Sequence, residues 1–195
     1  PKILPSSEWS LIEKLNFEKE VTGIYITGHP LDNFKFEMEH YGFMSISDFN
    51  ELKDNNDIKN KGGNVIRLAG LVTDAQHRTT KTGKDFGALT IEDFSGKTEL
   101  MLWRDDYVKF KSYLEKGLSL SVTGYFRQRF NQDTFDFNVS GIMLLESVKT
   151  AFTRSIELSV NLQDLCEEMV EFFAENSKKN AGNTTLKFNI LDQAD

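Results

Sequence analysis

With 195 residues, 39% of them hydrophobic and 27% charged, the chain has room for one large or two small domains and the balance of a globular protein. No apolar run approaches the ~20 residues that span a membrane, a single Cys excludes an internal disulfide, and three His offer no zinc-ligand spacing. The net charge of -7 is unevenly spread: Lys+Arg against Asp+Glu is 7 to 11 over residues 1–63, 11 to 11 over 64–148, and 5 to 8 over 149–195. A neutral middle between acidic flanks can hold a polyanion only where its cations gather on one face.

The opening Pro1-Lys2-Ile3-Leu4-Pro5 lacks signal-peptide anatomy and an initiator Met, which fits an excised fragment of a cytoplasmic protein. Ser6 or Ser7 caps a first helix from Glu8, with Trp9, Leu11, Ile12, Leu15, Val21, Ile24 and Tyr25 as its apolar surface and Gly28-His29-Pro30 as its stop. Asp32 is the expected N-cap of a short second helix, with Leu31 and Phe36 as a hydrophobic staple, Phe34, Met38 and Tyr41 on one stripe, and Gly42 closing it. Residues 50–63 are polar and turn-rich and read as a linker.

From Val65 the period becomes two. Ile66, Leu68, Gly70 and Val72 alternate inward on a strand running to Thr79, Lys81 to Lys84 make a hairpin turn, and Phe86 to Glu92 form a second strand. Ser95-Gly96 turns into a third strand, Lys97 to Trp103. A helix follows with Asp105 or Asp106 as cap, Tyr107, Phe110 and Leu114 on one face, and Gly117 as stop. Leu118 to Phe130 and Thr134 to Leu145 complete five strands around Asn131-Gln132-Asp133. Three meander strands, a helix and a closing hairpin are the layout of an OB-fold, whereas an SH3-like barrel would leave the helix unexplained. Beyond Lys149, Ile156 to Val160, a helix capped by Asn161, and Leu186 to Ile190 read as one β-α-β unit, with Cys166 on the helix's apolar face. The fold class is thus α+β. Its divisions are a helical segment (1–49), a linker (50–63), the OB barrel (64–149) and the start of a C-terminal domain (150–195).

OB-folds take ligands across strands two and three, between the loop joining strands one and two and the loop joining strands four and five. The first loop contains Arg78, Lys81 and Lys84, and the fourth strand carries Arg127 and Arg129 near the second. Phe86, Trp103 beside Arg104, Tyr125, Phe130 and Phe135 supply rings on which bases could stack, while Phe86 and Phe135 could equally be core. Catalytic constellations fail: Asp105-Asp106 fits a helix cap better than a metal pair. Thr82-Gly83-Lys84 resembles a phosphate loop but lacks the upstream glycine, and Asp85 stands where Ser/Thr is required. No Ser/His/Asp set surrounds His29, His40 or His77, and no cofactor is expected for this chain.

The string from Glu18 to Asp32 (Glu-Lys-Glu-Val-Thr-Gly-Ile-Tyr-Ile-Thr-Gly-His-Pro-Leu-Asp), the loop Arg78-Thr79-Thr80-Lys81-Thr82-Gly83-Lys84 and the run Leu89 to Leu100 resemble the α subunits of bacterial DNA polymerase III. The resemblance covers residues 18 to about 148, and 150–195 fit the family's C-terminal domain only weakly. It implies a parent enzyme that polymerises DNA with Mg2+, whose catalytic carboxylates lie outside this chain. It also implies an OB domain that meets the single-stranded template, with a sliding clamp and the clamp-loader τ subunit as partners of the parent. The hairpin Gln128 to Asp133 lacks the Gly-Gly often found in the family, so no DNA-binding role is carried over to it. The competing readings are a protein-interaction scaffold without nucleic-acid binding and an anticodon-binding OB domain, the latter ill suited to the flanking helices.

Overall fold

The computed structural model describes Trp9 and residues 11–23, 25–54, 64–128 and 134–192. Packing divides the chain into two compact units, 1–148 and 149–195. Among the described residues no helix is long and apolar enough to cross a membrane.

The first unit begins with helix α1 (Leu11–Thr22), which buries Leu15 and leaves Val21 exposed. The helix stops earlier than its apolar pattern suggested. Gly23 adopts φ +82 and donates its N–H to the Lys19 carbonyl at 2.8 Å, a left-handed closure that a residue without Cβ adopts freely. The Gly28 to Asp32 string is a hydrogen-bonded buckle: Asp32 Oδ2 accepts from the His29 N–H (2.6 Å), the Asp32 N–H donates to the His29 carbonyl (2.9 Å), and the Leu31 N–H donates to His29 Nδ1 (3.1 Å). The imidazole packs between Tyr25 and Phe94, with ring centroids at 4.9 and 4.8 Å. Asp32 therefore opens a 3-10 turn (Asp32–Phe34) rather than capping α2 (Lys35–His40). The expected staple is also absent, because Leu31 is buried whereas Phe36 is exposed and stacks on His40.

Burial holds the His29 imidazole below its ordinary value, against the opposing influence of Asp32, Glu92 and Asp93. The ring is thus neutral when folded, as its accepting Nδ1 requires, and takes up a proton on unfolding. Stability is fully present above the ordinary His value and falls as pH drops through the depressed one. Thermal midpoints between pH 7 and 5 should decline, and less steeply in His29→Gln; equal declines would remove His29 as the cause.

Residues 50–54 are not linker. They complete helix α3 (Ile46–Asp54), which buries Ile46, Phe49 and Leu52 at a helical spacing. The remainder of the supposed linker, 55–63, lies outside the described residues. Ser45 Oγ accepts from the Asp48 N–H at the start of α3 (3.1 Å), the bond of an N-cap.

The barrel strands are β1 (Ile66–Thr79), β2 (Asp85–Glu92), β3 (Lys97–Trp103), β4 (Ser119–Gln128) and β5 (Phe135–Leu144), all antiparallel, in the order β3-β2-β1-β4-β5. β1 pairs through Ile66–Leu71 with β4 and through Leu71–Thr79 with β2, bending at an irregularity between Val72 and Asp74. Its first half is buried on both faces. Leu68 and Val72 join the barrel core, while Ala69 and Leu71, which alternation alone would expose, are buried outside it, as are Leu15 and Leu31 of the N-terminal segment. Gly124 sits at the β4 irregularity, where a Cβ would fall 2.5 Å from the Asn138 carbonyl oxygen and from the Phe137 ring.

Helix α4 (Arg104–Phe110) lies between β3 and β4 and sends Phe110, then Leu114, into the core. Asp105 and Asp106 occupy its first turn, where carboxylates suit the helix dipole, instead of capping it; Trp103 holds the cap position. Five strands closed around one core with a helix between β3 and β4 make this an OB-fold.

The second unit, entered through α5 (Val148–Phe152), is β6 (Ser155–Asn161), α6 (Glu167–Lys179) and β7 (Thr185–Leu191), with the strands parallel from Ser155↔Thr185 to Asn161↔Leu191. Asn161 does not cap α6. A 3-10 turn (Leu162–Asp164) intervenes, and Asn161 Nδ2 donates to Asp164 Oδ2 at 3.2 Å. The later start leaves Cys166 outside the helix and exposed, not in a core. Phe173 packs edge-on against Phe188 (5.0 Å), but Leu165, Val170, Leu186 and Ile190 stay exposed in this unit.

Candidate nucleic-acid interface

The ladders between β1, β2 and β3 decide which side chains share the outer face. Directly paired residues point the same way, so Arg78, Phe86 and Trp103 form one row. Gln76, Ala88 and Met101 form the next, and Asp74, Thr90 and Glu99 a third. Leu89, Ile91, Leu100 and Leu102 take the opposite parity and fill the core.

In the first row Phe86 and Trp103 stack with centroids 4.6 Å apart and planes 19° from parallel, and Trp103 is 46% exposed. That exposure leaves part of a large ring surface open to a stacking base. Arg78 flanks Phe86 on the β1 side. Its guanidinium donates from Nε (2.8 Å) and from an η nitrogen (2.5 Å) to Gln76 Oε1, which fixes the fork beside the rings. Gln76 in turn donates to Asp74 Oδ2 (2.6 Å).

The hairpin beyond this row is closed by two hydrogen bonds. Thr80 and Lys84 are joined by the Thr80 N–H to Lys84 carbonyl bond (2.8 Å) and by the Lys84 N–H to Thr80 Oγ1 bond (3.0 Å), and Gly83 turns the chain at φ +77. Lys81 and Lys84 are exposed at its tip. Thr79 Oγ1 donates to Asp85 Oδ1 (2.8 Å), and Arg104 follows Trp103 at φ +50. Partial burial and the neighbouring Asp105 raise the Asp106 carboxyl above its ordinary value.

Six of the nine residues picked from sequence thus lie together: Arg78, Phe86 and Trp103 in one row, Arg104 next in chain, and Lys81 and Lys84 on the adjoining hairpin. Arg127 is not joined to them by any ladder. It pairs with Asp136, and β4 meets β1 at the far end, Gly124 opposite Ile66. Arg129 and Phe130 lie outside the described residues. Tyr125 takes a bond from Asn138 Nδ2 (3.3 Å), and Phe135 packs on the core. Gln76 and Met101 were missed, although a step of two from Arg78 and Trp103 would have found them.

Residues 66–146 match the family model described as OB-fold nucleic acid binding domain, and residues 156–195 match DNA polymerase III alpha subunit, C-terminal domain. DNA polymerase III subunit alpha of Borreliella burgdorferi is 28% identical over 94% of this chain and 17% of its own length. The Vibrio cholerae subunit is 28% identical over 86% of this chain and 14% of its own, and that of Escherichia coli (strain K12) 28% over 80% and 13%. The chain therefore spans less than one-fifth of these relatives. Among solved structures, the mitochondrial single-stranded DNA binding protein Rim1 from S. cerevisiae overlaps 42% of this chain and 95% of its own, with 14% identity and a TM-score of 0.32. The second OB-fold domain of replication protein A from Methanococcus maripaludis overlaps 44% and 87%, with 20% identity and a TM-score of 0.29.

Proposed function

We propose, from the likeness of this chain to the C-terminal part of DNA polymerase III α subunits, that its OB barrel binds single-stranded template DNA during replication. The observation that carries the reading is the exposed Trp103 stacked on the half-buried Phe86, with Arg78 fixed beside the pair and Lys81 and Lys84 exposed at the adjoining hairpin. Rings supply sequence-independent stacking and the cations neutralise phosphates, which is what a template of any sequence demands.

For the parent protein we extend the proposal to Mg2+-dependent DNA synthesis and to sliding-clamp and τ partners. On the same likeness we assign the Mg2+ chemistry to carboxylates of the parent protein outside this chain. The purified chain should incorporate no nucleotide; incorporation dependent on magnesium would overturn that assignment.

The binding test is a titration of labelled single-stranded oligonucleotide at several salt concentrations. Trp103→Ala should weaken binding by the worth of one stacked base, about 1–3 kcal/mol. Arg78→Ala, Lys81→Ala and Lys84→Ala combined should flatten the salt slope by about 0.7 for each phosphate that is no longer neutralised, with the thermal midpoint nearly unchanged. Wild-type affinity and slope in both variants would move the contact to Arg127 and Arg129, and absence of binding by the wild type at low salt would leave the barrel as a scaffold for protein partners.

A further inference from the structure

Along the outer face of β1–β3 the character of the side chains changes within two rows. The first two rows hold Arg78, Phe86, Trp103, Gln76 and Met101. The third adds Asp74 and Glu99, and beyond it Glu92 pairs with Lys97. Among the described residues, two of the three cations at this end are held by carboxylates, and the third, the exposed Lys97, stands directly across from Glu92 and two residues from Glu99 on the same face. Lys116 meets Asp74 at 2.9 Å, and Lys19 of α1 reaches Glu92 at 3.0 and 3.2 Å while lying 4.5 Å over the Tyr25 ring. The bond from Lys116, then that from Gln76, holds the Asp74 carboxyl below its ordinary value, so it stays ionised. Glu99 is exposed.

We infer that a single strand occupies only the half of this face bearing Phe86 and Trp103, and that α1 and the carboxylates of Asp74, Glu92 and Glu99 close the other half. This rests on the proposed function and adds its extent. A phosphate moving past Met101 would meet Glu99 directly, or would have to draw Lys19 and Lys116 from the partners they already have. The open rows are one pleat repeat apart, about 7 Å, room for a base on Trp103 and a neighbour over Met101. The strand then leaves over the hairpin, where Lys81 and Lys84 take phosphates. The footprint is about four nucleotides, the low end for an OB barrel.

The test uses the whole chain with oligothymidylates of about four, eight and sixteen nucleotides, reading the slope of log affinity against log salt. The cations of the open half are Arg78, Lys81, Lys84 and Arg104, and a footprint of about four nucleotides offers them three phosphodiesters, so the slope should reach no steeper than about -2 and stay the same at all three lengths. Glu99→Lys, an exposed change that should keep the wild-type thermal midpoint, should steepen the slope for the two longer oligonucleotides and not for the shortest. A wild-type slope that steepens with length, or a Glu99→Lys slope unchanged at every length, overturns the closed half while leaving DNA binding intact. Absence of binding at every length at low salt would overturn the proposed function itself, and this inference with it.

Discussion

Phe49→Ala is expected to lower the unfolding free energy by about 3–5 kcal/mol, the range for emptying a buried aromatic site. Phe49 is fully buried, stacks on Phe126 at 5.5 Å and meets the edge of Phe137 at 4.9 Å, so one side chain of α3 touches both strands of the β4–β5 hairpin. Nothing nearby can collapse into the space cheaply, because Phe126 and Phe137 already pack edge to face at 5.3 Å. Denaturant melts of wild type and variant measure the difference. A change under about 1 kcal/mol would mean that α3 is not packed on the barrel in solution. Phe36→Ala, by contrast, removes an exposed ring and should change stability by about 0.5 kcal/mol or less.

Asp93→Ala should cost about 2–4 kcal/mol, since it deprives several donors at once of a charged acceptor. Oδ1 accepts from the Ser95 N–H (2.7 Å), the Ser95 hydroxyl (2.7 Å) and the Gly96 N–H (2.9 Å), while Oδ2 accepts from the Ile46 N–H (2.9 Å). One carboxylate therefore closes the β2–β3 turn and satisfies the first turn of α3, and the Ser47 N–H bonds to Ser95 Oγ beside it (2.9 Å). Asp93→Asn replaces one accepting oxygen with a donor and keeps the other, so it should fall between wild type and Ala. Chemical denaturation of Asp93→Ala, Phe49→Ala and the double variant should show less than additive destabilisation, because both changes loosen the same helix. Full additivity would separate the turn from the helix it is argued to hold.

The barrel strands were legible because alternation in Ile66 to Val72 and in Lys97 to Trp103 is a local signal, and Gly83 and Ser95-Gly96 mark the turns between. Helix α3 was not. Ser45 with Asp48 has the spacing of a cap, but Asn50, Asp54, Asn55 and Asn56 outweigh it locally, and the burial of Phe49 is a tertiary effect that propensity does not contain. Asp93 was given no role, because its bond to Ile46 links positions 47 apart and has no local trace. Of the candidate site, Arg78, Phe86 and Trp103 were found by residue type and loop position. Their assembly into one row required the pairing of β1 with β2 and β2 with β3. Burial of Ala69 and Leu71 was missed because a second layer over β1 breaks the simple alternation.

The Asp93 to Gly96 turn also decides something far from itself. Strand side chains change faces at every residue, so a hairpin one residue longer or shorter would reverse the parity of one strand against its partner. A slip of β3 by one position would set Leu102 opposite Phe86 and send Trp103 toward the interior. The ring stack at the open end of the hairpin is thus written at its closed end, where Asp93 permits one turn length, and an insertion there would erase the platform without touching a residue of it.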